Sequence, residues 1–196
     1  MNLSARAPRA NGGTLRRGRG RSIVRGVESD YLIRAAGEAD LALLARWRGQ
    51  PHVRRWWGDP AVEPEAEKLA EPRIAMWVVE HASRPFGFIQ DYDIHAWTPH
   101  PFDYLPPSSR GLDLYIGEAD MIGHGHGARM LRQHVEWLFR QGAPAAGIDP
   151  HPDNLAARRA FEKAGFKVAQ GPLTTPWGYA LLMDQRAGDS AARRLA

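Results

Sequence analysis

The sequence predicts an α/β fold in which a single domain is built on one mixed central sheet with helices on both faces. Three observations lead to this prediction. β-rich runs alternate with segments of helical periodicity, a glycine-rich turn joins one strand to one helix, and 196 residues with 43% hydrophobic content suffice for one well-buried core. We expect the domain over residues 29–185, between a disordered basic tail at 1–28 and a flexible C-terminal tail at 186–196.

The N-terminal tail accounts for the basic character of the chain. Residues 1–28 contain seven arginines against one glutamate, a charge of +6, so the total of +4 leaves residues 29–196 at about −2. A tail with so little to bury is predicted to be disordered, either as an inert extension or as an arm that contacts RNA or phosphate. The mildly acidic domain argues against a nucleic-acid-binding face and is compatible with a cationic substrate.

Composition also excludes several kinds of site. The chain has no cysteine, which excludes disulfides, thiolate zinc sites and a cysteine nucleophile. No apolar run approaches the roughly 18 residues that cross a bilayer, and the N-terminus lacks the apolar stretch of a secretory signal. We therefore expect a cytoplasmic protein without membrane contact, and the sequence leaves open whether it is a monomer or a homodimer.

The elements of the domain follow from periodicity, in chain order. In the N-terminal half the predicted elements are a strand at 31–34, a helix from about 38, an interruption at 51–58, a short helix at 63–70, and hairpin strands at 74–80 and 86–94. Four prolines then predict a long loop over 95–110 that reaches over a site. The remaining elements are a strand at 111–117, a helix at 127–140, a strand at 145–149, a helix at 154–164, and strands at 166–170 and 178–183.

The glycine-rich turn carries the strongest functional signal. Ile122-Gly123-His124-Gly125-His126-Gly127-Ala128 lies between a predicted strand and a predicted helix, so its free N–H groups converge on a point suited to a phosphate. Glycine is needed because a side chain would hold the phosphate away and forbid the turn. His124 and His126 have no third ligand at a supporting spacing, so no metal site is predicted.

Two further motifs follow this turn, Asp149-Pro150-His151-Pro152-Asp153-Asn154 and Ala160-Phe161-Glu162-Lys163-Ala164-Gly165-Phe166. In this order the strand, turn, helix, strand and N-x-x-A helix resemble the acetyl-CoA-binding half of the GNAT acetyltransferases. The resemblance implies acetyl-CoA as cosubstrate, with its pyrophosphate on the turn and its pantetheine lying along 112–116 like an added strand. The residues implied to contact it are Leu114, Ile116, Ile122, Gly123, His124, Gly125, His126, Gly127, Ala128 and Asn154.

Other segments are similar to the aminoglycoside 6'-N-acetyltransferases within that superfamily. The matching motifs are Pro51-His52-Val53 with Trp56-Trp57-Gly58, Arg110-Gly111-Leu112-Asp113, and Gly165-Phe166 with Thr174-Thr175-Pro176. This resemblance implies acetyl transfer to a primary amine of a small polycationic molecule, by direct attack in a ternary complex. The sequence departs from it at Phe161, where a tyrosine has been proposed as general acid, and at Trp177, where an acidic residue contacts substrate. A peptide or ribosomal-protein N-acetyltransferase, a siderophore-type hydroxylysine N-acyltransferase and a non-catalytic acyl-CoA sensor stay open.

Aspartates and tryptophans supply the candidate acceptor site. Asp113 alternates with Leu112 and Leu114, so its side chain points to the opposite face of the strand, where it is a candidate base. Asp149 ends the next strand and is a second candidate, and Tyr115 is a substitute for the missing tyrosine. The candidate substrate-binding residues are Trp56, Trp57, Asp91, Asp93 and Asp103, with Trp97 as a further aromatic cover. Solvation of each of these aspartates and core packing of the tryptophans are the structural alternatives.

Overall fold

A computed structural model describes residues 23–24 and 31–192 of the chain. They form one mixed sheet with helices on both faces, which confirms the predicted fold class. The strands are β1 (Ile23–Val24), β2 (Tyr31–Ala35), β3 (Ile74–His81), β4 (Arg84–Asp93), β5 (Arg110–Ile116), β6 (Ala145–Ile148), β7 (Lys167–Thr175) and β8 (Gly178–Arg186). The helices are α1 (Leu41–Arg48), α2 (Pro51–Trp57), α3 (Glu65–Ala70), α4 (His126–Arg140), α5 (Leu155–Ala164) and α6 (Ala187–Ala192).

The sheet has the strand order β1-β2-β3-β4-β5-β6-β8-β7. Every neighbouring pair is antiparallel except β5 and β6, which are parallel and are connected through α4. The predicted hairpin is formed by β3 and β4, whose turn residues Ala82 and Ser83 have positive φ angles of 48° and 63°. No helix in the described part of the chain has the length and apolar character needed to cross a membrane.

Side-chain alternation along the strands divides the interior into two cores. Leu112 and Ile89 face α4 and α5, where Leu131 and Phe161 pack against them. On the other face, Tyr115 packs with side chains of α1 and α2. Because successive strand residues point to opposite faces, the face on which a β4 or β5 side chain lies follows from its position alone.

The proline-rich loop after β4 is anchored on the sheet by its own apolar residues. Phe102 and Leu105 are 1% and 2% exposed and pack with Leu182 of β8. A Cβ atom on Gly147 would lie 2.9 Å from the Phe102 ring, so the ring rests directly on β6. The loop is therefore held beside the point where β6 meets β5.

Three segments differ from the sequence prediction. Residues 51–57 form helix α2, because Pro51 stands at its first position, where no N–H bond is required. Ile23–Val24 pairs with β2 inside the tail predicted to be disordered, and Ala187–Ala192 is helical where a flexible tail was expected. The rest of the predicted N-terminal tail lies outside the described residues.

Candidate active site

The glycine-rich turn enters α4 through left-handed backbone at two glycines. Gly123 has a φ of 86°, and Gly125, the N-cap of α4, has a φ of 78°. The Arg129 backbone N–H donates to the Gly125 carbonyl at 3.3 Å as the first bond of the helix, so the N–H groups of Gly125, Gly127 and Ala128 have no acceptor within the helix. Together with the positive end of the helix dipole, these groups form an anion site of the kind that binds a pyrophosphate.

The imidazole of His126 does not take part in this anion site. It is buried, and its Nδ1 atom lies 2.7 Å from the hydroxyl oxygen of Tyr31. The side chain of His126 is thus turned into the protein, whereas the side chain of His124 is exposed. In the described part of the chain, no three histidine, aspartate or glutamate side chains are grouped so that they could hold a metal ion.

Strand β5 has an unpaired edge beside the turn. It pairs with β6 only at Arg110 and Gly111, although it stays paired with β4 as far as Ile116. The Cδ1 atom of Ile116 lies 3.9 Å from the position that a Cβ atom on Gly127 would occupy. The unpaired edge therefore runs up to the first turn of α4.

The hydrogen-bond alternation of the β4–β5 ladder decides which backbone groups face this open side. Gly117 donates its N–H to the Phe86 carbonyl at 2.8 Å, so Gly87 and Ile116 form a non-hydrogen-bonded pair. The polar backbone groups of Ile116, and of Leu114 two residues earlier, consequently point away from β4. An extended chain such as pantetheine can pair with this edge as a further strand would.

Asp113 and Asp149 lie level with each other across the opening between β5 and β6. The parallel register pairs Arg110 with Ala146 and Gly111 with Gly147, and its continuation places Asp113 opposite Asp149. The Asp113 side chain lies on the sheet face that carries α1 and α2, opposite the face of Leu112. The two residues are called the aspartate pair below.

Burial and mutual repulsion perturb both carboxyl groups. The pKa of Asp149 is raised to about 8, first by burial and then by the negative charge of Asp113. Burial also raises the pKa of Asp113, against the effect of a hydrogen bond that its Oδ2 accepts from Gln90 Nε2 at 2.8 Å. Two carboxyl groups in one poorly solvated site do not both ionise readily. With the pKa of Asp149 near 8, the pair retains a proton near neutral pH, and two coupled carboxyls of this kind suit proton transfer.

Tyr92 lies beside the aspartate pair. A Cβ atom on Gly111 would lie 2.3 Å from its ring, so the ring occupies the space over that glycine. Burial, together with the charges of Asp113 and Asp149, raises the pKa of Tyr92 well above its ordinary value. The Tyr92 hydroxyl therefore stays protonated at the pH at which the aspartate pair gains or loses a proton.

Aromatic side chains border the site on the side of Asp149. His151 follows Asp149 by two residues, and its ring centroid lies 5.6 Å from that of Trp56 and 6.0 Å from that of Tyr179. Tyr179 is 50% exposed on β8. These rings give a flat and partly open surface next to one carboxyl of the pair.

A second aromatic group extends from Tyr92 to the tip of the β7–β8 hairpin. The His100 ring lies 5.7 Å from that of Tyr92 and 4.9 Å from that of Trp177. Burial lowers the pKa of His100 to about 4, so this imidazole is neutral near pH 7. Trp177 is 55% exposed and covers His100 from the outside.

Comparison with known proteins identifies the family to which this fold belongs. Residues 36–171 match the family described as acetyltransferase (GNAT) domain, which is more than half of the chain. The chain belongs to the GNAT acetyltransferase family. The resemblance found in the turn and in the two motifs after it is thereby confirmed.

Named relatives cover most of this acetyltransferase. It is 32% identical over 190 residues to the aminoglycoside N(6')-acetyltransferase type 1 of Serratia marcescens, which covers 89% of this chain and 92% of the relative. The protein of the same name from Klebsiella pneumoniae is 32% identical over 178 residues, or 84% and 87%. A solved structure of AAC(6')-Ib with paromomycin and acetyl-CoA has a TM-score of 0.76 at 31% identity and covers 85% of this chain and 98% of that one.

Asp91 of this acetyltransferase is not in the acceptor site. It is 2% exposed and faces α4, on the side of the sheet opposite the aspartate pair. Its carboxylate accepts hydrogen bonds from Trp77 Nε1 at 2.6 Å and Arg110 Nε at 2.9 Å, and His134 Nε2 lies 3.0 Å from it. Burial raises the pKa of Asp91, but His134 and Arg110 together hold it below its ordinary value. The prediction that Asp91 binds a substrate ammonium group is wrong.

Asp93 and Asp103 make local bonds in turns. Asp93 Oδ1 accepts from the His95 N–H at 3.0 Å and caps the short helical turn Ile94–Ala96. Asp103 Oδ2 accepts from the His100 N–H at 2.8 Å inside the proline-rich loop. The structure thus gives each a role in its turn, and substrate contact by either one stays a prediction.

The two tryptophans of α2 lie in different surroundings. Trp56 borders the site, whereas Trp57 packs in the second core, where its ring lies 4.9 Å from that of Tyr115. Tyr115 also stacks on Phe88 at 4.9 Å, and its hydroxyl is enclosed without a hydrogen-bond partner in the described structure. The prediction that Tyr115 acts as general acid is therefore wrong, whereas substrate contact by Trp57, which is only partly buried, stays a prediction. Phe161, where a general acid was expected from the resemblance, is buried in the main core.

Asn154 caps α5, and its Oδ1 accepts from the Ala157 N–H at 3.2 Å. A further contact of this side chain with the cofactor stays a prediction. Sequence reasoning missed three residues near the site: Gln90, Tyr92 and His52, whose Nε2 lies 2.9 Å from the Ile116 carbonyl oxygen. Of these three, only Tyr92 could have been suspected from the sequence, because Gly111 stands in an otherwise regular strand and leaves space for a ring.

Proposed function

We propose that this acetyltransferase transfers an acetyl group from acetyl-CoA to a primary amine of a small polycationic acceptor of the aminoglycoside class. The observation that carries the proposal is the aspartate pair, which lies across the open edge of β5, the edge that runs up to the first turn of α4. The relatives named for aminoglycoside N(6')-acetylation, and the solved structure with acetyl-CoA, support the same reaction.

The residues present fit acetyl-CoA. The N–H groups of Gly125, Gly127 and Ala128 suit a pyrophosphate, and the outward backbone groups of Leu114 and the N–H of Ile116 suit the amides of pantetheine. When bound, acetyl-CoA supplies the acetyl group as a thioester. An N–H of Leu114 or Ile116 then has the direction needed to donate a hydrogen bond to the thioester carbonyl and stabilise its developing charge.

The aspartate pair supplies the proton transfer. A lysine-like ammonium has a pKa of about 10.4, so it must lose a proton before its nitrogen can attack. Asp113 accepts that proton, directly or through one water, and the neutral nitrogen then bonds to the carbonyl carbon as the bond from carbon to sulfur breaks. The nitrogen gives up a second proton as the amide forms, and this proton goes to the departing sulfur, so that free thiol leaves and no residue of the protein is acylated, in keeping with a chain that has no cysteine.

Charge and shape favour a ring-bearing polyamine as acceptor. Residues 29–196 carry a net charge of about −2, and the aspartate pair is poised to take one negative charge near neutral pH. The exposed faces of Trp177 and Tyr179 give flat apolar contact area, which suits sugar rings and weakly attracts cations. This function therefore relies on fewer carboxylates than the sequence predicted and on more aromatic surface.

An acceptor panel tests the proposal. Release of free thiol from acetyl-CoA is measured with a kanamycin-type aminoglycoside, spermidine, N-hydroxylysine and short peptides. We expect the highest kcat/KM with the aminoglycoside, and a KM for it that rises with salt because charge contacts hold it. A clear preference for the peptide or for N-hydroxylysine would select another member of the family, and acetyl-CoA binding without turnover on any amine would indicate a sensor.

The cellular setting belongs to the same proposal. A cysteine-free chain that uses acetyl-CoA is placed in the cytoplasm, and one chain supplies every residue of the described site, so a monomer and a homodimer are both compatible with activity. Fractionation of cells and analytical ultracentrifugation test these two points. A basic tail that binds RNA would show as retention on an RNA column that is lost when residues 1–22 are removed.

A further inference from the structure

Gln90 is the side chain that contacts the proposed base directly. It stands opposite Asp113 in the β4–β5 ladder, and its Nε2 donates to Asp113 Oδ2 at 2.8 Å. Gln90 is 7% exposed, and the ladder has no irregularity between β4 and β5. The amide is therefore held in place by both the backbone register and the packing around it.

The two members of the aspartate pair are not equivalent in their hydrogen bonds. Asp113 accepts from the Gln90 amide, whereas no side chain in the described part of the protein donates to the carboxyl of Asp149. A hydrogen bond donated to a carboxylate stabilises its ionised form. The difference in partners thus favours charge on Asp113 and a proton on Asp149.

We infer that Gln90 is a positioning residue that holds Asp113 as the ionised, proton-accepting member of the pair and leaves the shared proton on Asp149. The inference rests on the proposed function, because it assigns the base of that reaction. Gln90 touches neither the acetyl donor nor the amine in this assignment, and it acts only through Asp113.

The oxygen of the Gln90 amide also supports this role. Only the NH₂ group of an amide can donate a hydrogen bond to an ionised carboxylate, so the orientation of Gln90 matches an ionised Asp113. Its Oε1 atom is then enclosed without a hydrogen-bond partner in the described structure. An enclosed acceptor without a donor destabilises a fold, and a methionine would fill a similar space without that penalty. A glutamine at this position is therefore better explained by its donor than by packing.

Three titratable groups outside the pair face it from the elements packed around it. Lys68 of α3 favours the ionised form of Asp113, while Glu63, whose Oε2 lies 3.0 Å from Lys68 Nζ, opposes it. The third is Tyr92, which is a neutral phenol. Because Lys68 and Glu63 act in opposite directions, the Gln90 amide is the partner that distinguishes the two aspartates.

Carbon-13 NMR of protein labelled at aspartate carboxyl carbons tests the inference without turnover. Asp113→Asn and Asp149→Asn spectra assign the two resonances. We expect Asp113 to titrate at lower pH than Asp149, and Gln90→Met to raise the Asp113 midpoint by about one pH unit. An Asp113 midpoint above that of Asp149 in the wild-type protein, or one that Gln90→Met does not move, would overturn the inference.

Kinetics give a second test with a matched control. In Gln90→Met the acidic limb of the kcat/KM profile should move to higher pH, and kcat below that limb should fall about tenfold. Gln185→Met makes the same change at a buried glutamine of β8 and should leave the limb in place. A folded Gln90→Met enzyme with the wild-type limb contradicts the inference but leaves the proposed function intact. Absence of amine acetylation by the wild-type enzyme instead contradicts the proposed function, whatever the NMR titration shows.

Gln90→Glu keeps the inference testable if Gln90→Met fails to fold. A buried Glu beside Asp113 retains its proton near neutral pH and can still donate to Asp113, but it loses this ability once it ionises. The variant should therefore keep activity on the acidic side and show a new loss of kcat/KM at alkaline pH. A wild-type profile for Gln90→Glu would contradict the positioning role.

Discussion

Tyr92 rests so closely on Gly111 that a Cβ atom at position 111 would lie 2.3 Å from its ring. Gly111→Ala should therefore displace the ring and lower the free energy of unfolding by about 1–3 kcal/mol, as overpacking does. Because Tyr92 adjoins the aspartate pair, kcat/KM should also fall, by roughly tenfold to a hundredfold. Urea unfolding and thiol release measure the two effects. Gly37→Ala is the control, because a Cβ atom there meets nothing within 4 Å. If Gly111→Ala behaved like the wild type, as Gly37→Ala should, the close packing of Tyr92 on Gly111 would be refuted.

The glycine turn predicts how the cosubstrate stabilises the protein. At 100 times its Kd, acetyl-CoA should raise the free energy of unfolding by about 2.7 kcal/mol, which thermal unfolding detects as a higher Tm. Gly125→Val should abolish this rise, because a side chain at a left-handed N-cap distorts the anion site.

Gly142→Val is the matched control for Gly125→Val. Gly142 also has a left-handed backbone, with a φ of 96°, and open space around it, but it lies beyond the other end of α4. Both variants should lose stability, and only Gly142→Val should keep the increase in Tm with acetyl-CoA. Loss of that increase in both, or in neither, would contradict the assignment of the pyrophosphate to the turn.

Asp113→Asn tests the proposed base. The substitution removes the proton acceptor and keeps the shape, so kcat should fall by about 10² to 10⁴-fold. The stabilisation by acetyl-CoA should persist, because the carboxylate serves the amine. Asp153→Asn, at a side chain that is 86% exposed, should leave turnover unchanged. Wild-type turnover in Asp113→Asn would move the base to Asp149.

Asp149 should make stability depend on pH. Its pKa of about 8 in the folded protein exceeds its ordinary value of 3.8, so between these values the folded protein holds a proton that the unfolded chain has lost. Its contribution to the free energy of unfolding is therefore complete below about pH 4 and is lost as the pH rises to about 8. Asp149→Asn removes this titration, so the variant should match the wild type near pH 4 and exceed its stability at pH 9.

Urea unfolding at pH 4.5, 7 and 9 measures this difference, with Asp59→Asn as the control. Asp59 is 55% exposed in its side chain, and its substitution should shift stability equally at the three pH values. A difference between Asp149→Asn and the wild type that does not grow with pH would show that Asp149 ionises normally in the folded protein.

Sequence patterns predicted those parts of the fold that depend on neighbours along the chain. The alternation in β5 gave the face of Asp113, and the glycines gave the turn before α4, because both follow from local backbone geometry. Asp91 was misassigned for the opposite reason. Its partners Trp77 and His134 lie 14 and 43 residues away, and nothing in the local pattern distinguishes a buried, paired carboxylate from a solvated one.

The acceptor side was the harder part to predict. Two adjacent tryptophans on α2 look alike in the sequence, yet only the packed helix decides that Trp56 meets His151 and that Trp57 meets Tyr115. The bond between Gln90 and Asp113 depends on the register of two strands separated by the whole proline-rich loop. Such cross-strand contacts need the three-dimensional pairing, which one sequence does not contain.

The short β5–β6 pairing also has a mechanical consequence. Two residue pairs, Arg110 with Ala146 and Gly111 with Gly147, are the whole ladder between the sheet half β1–β5 and the half β6–β8. Asp113 belongs to one half and Asp149 follows β6 in the other, so the separation of the two carboxyls depends on how the halves pair rather than on a single strand. A ligand that bridges the halves would act as an added rung, and it would also set the distance between the two acids.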